Sequence, residues 1–541
     1  LCRSKADWLI GINATRLFSV LYHKTLNVGR VQTPTLSLLV ERDNAIQSFE
    51  KKKYYVVHIG NGKLEAVSPP YTEKAEAEKL RAACDGQTAT CTSYQKENKT
   101  ENPPKLFDLT SLQREANRLY GYTAKQTLDY TQSLYEKKLC TYPRTDSQYL
   151  TDDMLPTVEN LISGLFDVLT FAKGIDLPPD IPRILNSKKV SDHHAIIPTA
   201  EAIKTAPAAL PENERNILFL IAAKLLMAVA QPFEYETVTA SFSCGGMTFA
   251  AKGKTVKKEG YKELERRFHS TLKEQTENKK NKDVSLPELS EGQTFPAMTA
   301  KLSEHDSTPP KPYTEDTLLS AMERAGNEDI TEEAERKGLG TPATRAAVIE
   351  KLVQAGFAER KKKQLIPTAD GKNLIALLPD MLTSPKLTAE WENELTRIAK
   401  GEVSPDNFIQ GIEAMSAELV KNHATASEEH KALFAPKREE IGKCPRCKSP
   451  VYEGKKNFYC SNLDCTFSMW KNDRFFESKK KELTATVAAA LLSKGRVSMK
   501  GLYSEKTGKA YDADVLLADT GGKYVNYKIE LKKTTKPKPK K

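Results

Sequence analysis

The most informative stretch of this sequence is Leu139-Cys140-Thr141-Tyr142-Pro143-Arg144-Thr145-Asp146-Ser147. Its tyrosine and arginine share one face if the segment is extended, because side chains alternate along an extended chain. The phenol of Tyr142 is an oxygen nucleophile able to form a covalent phosphotyrosine. The guanidinium of Arg144 offers a planar set of donors to phosphate oxygens. The stretch therefore predicts attack on a phosphodiester; the plainer alternative is a tyrosine that anchors a hairpin beside a solvated arginine.

The length and composition indicate a multidomain globular protein. A chain of 541 residues is too long for one hydrophobic core and predicts roughly three or four domains. Hydrophobic residues make up 39% and charged residues 28%, as in ordinary soluble proteins. No apolar run approaches the ~20 residues of a membrane span, and we expect no signal peptide. The chain begins with Leu1 rather than methionine, so we expect a fragment or a processed piece.

Net charge and cysteine content indicate which kind of binding partner and which cellular compartment to expect. A net charge of +11 favours a long polyanion as partner, although the tail from Lys528 to Lys541 carries much of the excess. Five of the nine cysteines are scattered along the chain without a secreted context, so we expect reduced thiols in a cytoplasm.

The other four cysteines predict one tetrahedral zinc site, because they form two close pairs. The pairs are Cys444-x2-Cys447 and Cys460-x4-Cys465. Aromatic residues such as Trp470 and several lysines surround them, a combination that suits stacking on single-stranded bases. We predict a zinc ribbon that contacts DNA; the alternative is a purely structural zinc site.

Helical and strand-like patterns alternate along the chain, which predicts nested insertions in a multidomain α+β fold. A helical domain is interrupted by a β-rich domain, which is itself interrupted by a second helical domain carrying Tyr142. The predicted boundaries are 1–50 and 309–425 for the outer helical domain, 51–105 and 233–308 for the β-rich domain, 106–232 for the inner helical domain, 440–475 for the zinc ribbon, 480–531 for a small α/β-like module and 532–541 for a disordered basic tail.

The two helical domains share a weak internal repeat. Thr123-Ala124-Lys125-Gln126-Thr127 opens one predicted helix and Thr341-Pro342-Ala343-Thr344-Arg345 opens another, each followed by a basic, strand-like stretch. A helix–turn–helix with a hairpin is common among nucleic-acid-binding proteins. An ordinary helical hairpin is an equally good interpretation of the pattern.

Further motifs carry residues suited to a phosphate backbone. Asp192-His193-His194 places two histidines side by side, and a cationic histidine can pair with a phosphate. Two stretches each place glycine, which lets a ligand come close to the backbone, just before a predicted helix N-terminus. They are Gly338-Leu339-Gly340-Thr341-Pro342 and Gly29-Arg30-Val31-Gln32-Thr33-Pro34. The structural alternatives are a histidine-rich turn and glycine turns without a ligand. Arg3 and Asp7, one helical turn apart, are by default a surface ion pair.

Together these motifs resemble those of type IA DNA topoisomerases, most of all the bacterial topoisomerase III branch. The resemblance runs from residue 1 to about residue 425, and it also includes Leu109-Thr110-Ser111-Leu112-Gln113-Arg114-Glu115 and Leu387-Thr388-Ala389-Glu390-Trp391-Glu392. It implies a toroidal core of nested, winged-helix-type helical domains and a β-rich arch. It also implies an ATP-independent enzyme that cleaves one DNA strand through a 5′-phosphotyrosine, passes a strand and religates.

The same resemblance implies roles for individual residues and for partners. Tyr142 is the expected nucleophile, with Arg144 and His193 assisting at the scissile phosphate. The implied partners are single-stranded DNA and negatively supercoiled duplex DNA, bound by a monomer at the nucleoid in a bacterial cytoplasm. The residues expected near the bound strand are Arg3, Asp7, Arg30, Gln32, Ser111, Gln113, Thr344 and Arg345.

The family also uses Mg²⁺, held by an acidic site in an N-terminal Toprim domain that we expect to be missing here. Asp512-Ala513-Asp514 is no substitute, because no continuous apolar strand precedes it and the Gly521-Gly522 turn indicates a polar hairpin. No Walker-type phosphate loop is evident, which disfavours an ATP-driven motor. A tyrosine recombinase or a relaxase would need a set of arginine and histidine residues or a histidine-rich metal site. Neither is found in the sequence around Tyr142.

We therefore expect this chain to bind single strands but to relax DNA poorly or not at all by itself. The alternative is a truncated single-stranded DNA-binding remnant without catalysis.

Overall fold

The computed structural model describes residues 1–541 except 63, 176–177, 207–208, 273–285, 327–337, 427–432, 435–439, 463, 523 and 532–541. The tail predicted to be disordered lies outside the described residues. Two compact units follow one another along the chain, Leu1–Phe434 and Ala435–Lys541. Among the described helices, none combines the length and apolar character needed to cross a bilayer.

The first unit is built from helices and from antiparallel strands. Its described helices are α1 (Cys2–Leu21), α2 (Gln32–Gln47), α3 (Lys74–Cys84), α4 (Leu109–Tyr120), α5 (Ala124–Glu136), α6 (Leu155–Val168), α7 (Ala200–Lys204), α8 (Glu212–Val229), α9 (Tyr261–Thr271), α10 (Glu315–Arg324), α11 (Pro342–Gln354), α12 (Ala369–Leu377), α13 (Asp380–Thr383), α14 (Lys386–Ala399) and α15 (Pro405–Asn422). Its described strands are β1 (Lys53–Gly60), β2 (Glu65–Val67), β3 (Ala89–Glu101), β4 (Phe233–Cys244), β5 (Met247–Lys258), β6 (Thr294–Phe295), β7 (Thr299–Asp306), β8 (Ala358–Lys361) and β9 (Gln364–Pro367).

The first and last parts of this unit share one hydrophobic core. Ile10 and Phe18 of α1 are buried with Leu36 of α2, Leu318 of α10 and Trp391 of α14. Every fourth residue of α1 from Ala6 to Phe18 is buried, because one face of the helix packs against α15. The chain therefore leaves this outer helical domain and later returns to complete its core.

A second core belongs to the inner helical domain that carries Tyr142. It gathers apolar residues of α4, α5, α6 and α8 around the stretch 195–197. Leu264 and Phe268 of α9 are also buried in this core. The sequence around α3 and α9 has the alternating pattern of strands, and the predicted strand-like character extends over both helices. The structure shows that each of these short helices lies between two strands.

The β-rich domain is one antiparallel sheet with the strand order β6-β3-β4-β5-β2-β1-β7. Val57, Phe242 and Phe249 form its core together with α3. The far halves of β3, β4 and β5 extend beyond that core as a ribbon, exposed on β3 from Gln95 onward. The ribbon ends at the inner helical domain, where Lys262 of α9 pairs with Glu101 at 2.9 Å.

The second unit contains two small sheets that share one core. Its described elements are β10 (Glu440–Lys443), β11 (Pro450–Glu453), β12 (Asn457–Cys460), β13 (Ser468–Trp470), α16 (Arg474–Ser478), α17 (Ala485–Lys494), β14 (Arg496–Tyr503), β15 (Ala510–Ala518) and β16 (Asn526–Leu531). Strands β10 to β13 form one sheet and β14 to β16 the other. Phe458 and Phe467 of the first are buried with Leu491 and Val515 of the second part. The sequence had divided these residues into two modules; neither part alone offers enough apolar surface for a separate core.

Gly260, at the start of α9, provides a test of how tightly this helix joins the ribbon to the inner helical domain. Its φ is +50°, and an added Cβ would lie 2.2 Å from the carbonyl oxygen of Pro232. Gly260→Ala should therefore destabilise the first unit by roughly 2–4 kcal/mol, from overlap added to left-handed backbone strain. The midpoint of thermal unfolding measures the effect.

Gly246 is the matched control for this substitution. It also has a positive φ, +80°, but an added Cβ would meet no atom within 4 Å. Gly246→Ala should cost only about 1 kcal/mol. Equal shifts for the two variants would contradict the tight packing at Pro232.

Candidate active site

Residues 139–149 form an extended segment that runs beside residues 193–199. Backbone hydrogen bonds join the two, including Thr141 N–H to Ile197 O at 3.0 Å. The side chains of 143–147 alternate between buried and exposed. The alternation leaves the side chain of Arg144 exposed, two residues after the partly exposed Tyr142.

This pairing brings Tyr142 and His193 together from two separate motifs. Their ring centroids are 4.3 Å apart. The Thr145 hydroxyl donates to the carbonyl of His193 at 2.8 Å and holds the two segments in register. Within the described part of the chain, the phenol oxygen of Tyr142 has no hydrogen-bond partner, so it is free to meet a substrate.

Helix α5 supports both Tyr142 and Arg144. Gln132 accepts a hydrogen bond from Arg144 Nη1 at 2.6 Å. One helical turn further on, the ring of Tyr135 meets Tyr142 edge to face, with centroids 5.4 Å apart. The sequence analysis missed Gln132 and Tyr135. Their spacing marks one helix face, but only the tertiary structure shows what that face touches.

A cavity of about 460 Å³ lies beside this pair of segments, between the inner and outer helical domains. Arg144 and His193 line it from one side, and the first residues of α11 line it from the other. Free N–H groups in the first turn of a helix suit a phosphate. Carboxylates also line the cavity, and burial raises the pKa of one of them, Asp108. The acidic lining residues are Asp108, Asp146, Asp192 and Glu323.

Three of the residues predicted to lie near the bound strand form an ion-pair network in the outer helical domain. Arg30 pairs with Asp7 at 2.6 Å, and Arg3 pairs with Glu392 at 2.6 Å. Arg30 also pairs with Glu392 at 3.3 Å and lies over the ring of Trp391. The guanidinium of Arg30 is thus buried among protein partners.

The other predicted strand-binding residues serve the protein's own structure in this conformation. Ser111 and Thr344 complete the capping boxes of α4 and α11. Gln113 is fully buried, and its amide donates to Ala124 O at 3.0 Å. Arg345 is 2% exposed and donates to the Thr110 hydroxyl at 2.9 Å.

Gln32 differs from these residues. Its amide nitrogen is buried without a hydrogen-bond partner among the described residues. For the whole predicted set, contact with DNA stays a prediction.

The four cysteines lie together in the second unit. Their sulfur atoms are all within 4.8 Å of one another, with 3.7 Å between Cys444 and Cys465 and 3.3 Å between Cys447 and Cys460. Tetrahedral bonds of about 2.3 Å to one ion place thiolates about 3.8 Å apart. The cluster can therefore hold a single metal ion.

Asp512 and Asp514 lie on β15 and face the neighbouring strand. Asp512 accepts a hydrogen bond from Gly501 N–H at 2.8 Å, and Asp514 accepts one from the Ser498 hydroxyl. The polar hairpin expected around them is formed by β15 and β16. Both carboxylates thus have partners within the sheet.

Comparisons with known proteins agree with this arrangement. A family model described as DNA topoisomerase matches residues 1–410. DNA topoisomerase 3 of Bacillus licheniformis is 36% identical over 460 residues, which cover 80% of this chain and 61% of that protein. DNA topoisomerase 3 of Bacillus subtilis is 34% identical over 495 residues, covering 86% of this chain and 66% of that protein. The chain thus spans 61% and 66% of the length of these curated relatives.

A solved structure shows the same fold. Full-length topoisomerase I from Thermotoga maritima superposes with a TM-score of 0.61 at 22% identity, covering 87% of this chain and 74% of that one. The family suggested by the sequence motifs is confirmed by the matched family model and by the identity to the Bacillus proteins. This chain belongs to the type IA DNA topoisomerase family, in the branch of the DNA topoisomerase 3 proteins.

Proposed function

We propose that this chain is the strand-cleaving core of an ATP-independent DNA topoisomerase. One observation carries the proposal: Tyr142, whose phenol oxygen has no partner among the described residues, lies against His193 and two residues from Arg144, and both of these line a cavity. The proposed substrates are single-stranded DNA and negatively supercoiled duplex DNA. The proposed setting is a monomer at the nucleoid of a bacterial cytoplasm.

In the proposed reaction the Tyr142 oxygen attacks a phosphodiester and forms a 5′-phosphotyrosine. The phenol gives its proton to solvent as the new O–P bond forms; the bond to the 3′ oxygen breaks, and that oxygen takes up a proton from solvent to leave as a 3′ hydroxyl. Arg144 stabilises the charge that develops on the non-bridging oxygens, as does His193 when it is protonated. The Ala343 N–H in the first turn of α11 adds a further donor on the opposite side of the cavity, whereas Pro342 has no N–H and the Thr344 N–H is bound to Thr341 O. Resealing is the reverse attack by the free 3′ hydroxyl.

Mg²⁺ is the cation expected to assist resealing, but the described residues do not fit an acidic site for it. Among the described residues, the side chains close enough together to bind one metal ion are those of the four cysteines. The carboxylates of the cavity do not converge in the same way, and one of them, Glu323, pairs with Arg345 at 3.5 Å. We propose that the acidic Mg²⁺ site belongs to sequence outside these residues. The greater length of the relatives is consistent with this.

A covalent-adduct assay tests the nucleophile. Wild-type protein should form a covalent adduct with a single-stranded oligonucleotide labelled at its 3′ end, because a 5′-phosphotyrosine retains the fragment on the 3′ side of the break. Tyr142→Phe should reduce adduct formation about 1,000-fold or more, because no other oxygen occupies that position. Tyr130→Phe is the matched control, since Tyr130 lies on α5 and bonds Asn213 instead. Adduct formation by Tyr142→Phe would refute the assignment. A wild-type protein that binds the strand without forming any adduct would favour the binding-only alternative.

Relaxation of a negatively supercoiled plasmid tests whether the chain alone completes the whole reaction of cleavage, strand passage and resealing. The purified 541-residue chain with Mg²⁺ should relax the plasmid poorly or not at all, because its described residues lack a fitting acidic site. The measurement is gel mobility of the plasmid over time. Robust relaxation that Tyr142→Phe abolishes would show that this chain is sufficient.

We also propose that the cysteine cluster binds zinc and that the surrounding ribbon contacts single-stranded DNA. Four thiolates at these separations suit zinc. Trp470 is 40% exposed at the end of β13, and Lys471 follows it. Exposed aromatic rings next to lysines form a stacking surface for bases.

Zinc should stabilise the whole second unit. Cys444 and Cys460 are buried in the core that also contains Leu491 and Val515. Arg446, between the first two cysteines, makes two hydrogen bonds of 2.7 Å to Asp519 on the far side of that core. Binding of the ion and folding of both sheets are therefore coupled.

Removal of the metal should unfold this unit and spare the first one. Cys447→Ser should lower the zinc content from about one ion per chain to less than half, because three thiolates bind zinc far more weakly than four. A chelator should abolish one thermal transition and leave the other. Cys2→Ser, outside the cluster, is the control and should keep its zinc. Full zinc content in Cys447→Ser would contradict the site.

A further inference from the structure

The inner and outer helical domains meet through a polar interface. Apart from Ala124, the described buried apolar residues of the two domains fall into separate cores. Where α4 meets α10, Arg114 Nε donates to Asp316 Oδ1 at 2.8 Å, and Asp316 N–H donates to Asn117 at 3.2 Å. Water can replace such partners at low cost, so separation of this interface exposes little of either core beyond Ala124.

The interface is formed by the two copies of the internal repeat. Helices α4 and α5 form one copy, α10 and α11 the other, and all four begin with a capping box. The contacts are reciprocal. Arg345 at the start of α11 donates to Thr110 at the start of α4, and Ala124 at the start of α5 donates to Glu315 at the start of α10. These two hydrogen bonds thus join the copies at the N-terminal ends of their helices.

Glu315, like Arg345, is a buried charged residue of this interface. It is 3% exposed. Its Oε2 accepts the Ala124 N–H at 2.6 Å, and its Oε1 accepts from Arg360 Nε at 2.9 Å. Burial raises the pKa of this carboxyl, while the Ala124 amide and the Arg360 guanidinium act against that shift. Such partners offset the free-energy cost of desolvating a buried carboxylate. Separation of Ala124 from Glu315 removes one of these partners.

The helix that Glu315 caps is the helix that supports the reactive pair. Ala124 is the first residue of α5, where N–H groups lack partners within the helix and a carboxylate is favourable. About 12 Å further along the same helix, Gln132 holds Arg144, and Tyr135 contacts Tyr142. A single stiff element therefore connects the domain interface to the reactive segment.

We infer that Glu315 is a positioning residue that aligns Tyr142 and Arg144 while the two helical domains are docked. When the domains separate, the Ala124 N–H at the start of α5 loses its Glu315 acceptor, although the Thr123 capping box remains, and the reactive pair loses its alignment. Cleavage and resealing are thereby confined to the closed state, and a broken strand is not attacked while the gap is open. This inference rests on the proposed strand-cleaving function and adds to it the residue that couples closure to chemistry.

Hydrogen exchange tests the coupling without requiring cleavage. In Glu315→Ala, exchange should rise about tenfold in residues 124–136 and 139–147, as expected for loss of a helix cap. Glu315→Gln should show a smaller rise, because an amide oxygen still accepts the Ala124 N–H. Asp316→Asn is the matched control, since it weakens a neighbouring contact between the domains that reaches α4 rather than α5. Its exchange in these two segments should stay at the wild-type level.

Adduct formation supplies the second measurement. Glu315→Ala should slow it about tenfold while the affinity for the oligonucleotide changes less than about twofold. Glu315→Gln should lie between Glu315→Ala and wild type, and Asp316→Asn should match wild type. Equal effects of Glu315→Ala and Asp316→Asn in both measurements would overturn the inference, and so would unchanged exchange in Glu315→Ala. If wild type forms no adduct, the proposed function fails, and exchange alone decides the role of Glu315.

Discussion

The pairing of residues 139–149 with residues 193–199 is the interaction on which this site depends. It converts two motifs separated by some fifty residues into one surface, with the rings of Tyr142 and His193 in contact. The pairing is possible because buried Thr145 and its neighbours tie the extended segment to the core of the inner helical domain. Without this backing, Arg144 would be an ordinary exposed arginine and Tyr142 one of twenty tyrosines.

A second constraint is that the chain closes each domain with segments distant in sequence. The outer helical domain completes its core only when residues after 309 return to α1 and α2. This return places the N-terminus of α11 across the cavity from Arg144 and His193. It also sets the two copies of the internal repeat against each other through polar contacts. The site and the separable interface are thus consequences of one topology.

Much of this protein was predictable from local chemistry. The family and the cysteine cluster rest on short motifs whose residue types and spacing are specific, and helix caps such as Thr123 and Thr341 behave as their sequences predict. The errors arose where neighbours in space override local pattern. Helices α3 and α9 lie within strand-rich stretches. Arg345 and Gln113 are buried in this conformation by contacts from other elements, and their contact with DNA stays a prediction.

The order of amino acids specifies the chemical groups: a phenol, a guanidinium, histidines and four thiols at metal-binding spacing. Which of these groups meet depends on the folded chain, because contacts such as Gln132 with Arg144 or Glu315 with Ala124 join residues on different elements. Local propensity carries no information about such pairs. The burial that makes Glu315 sensitive to its partners, and the single core that unites both sheets of the second unit, exist only after the chain has folded.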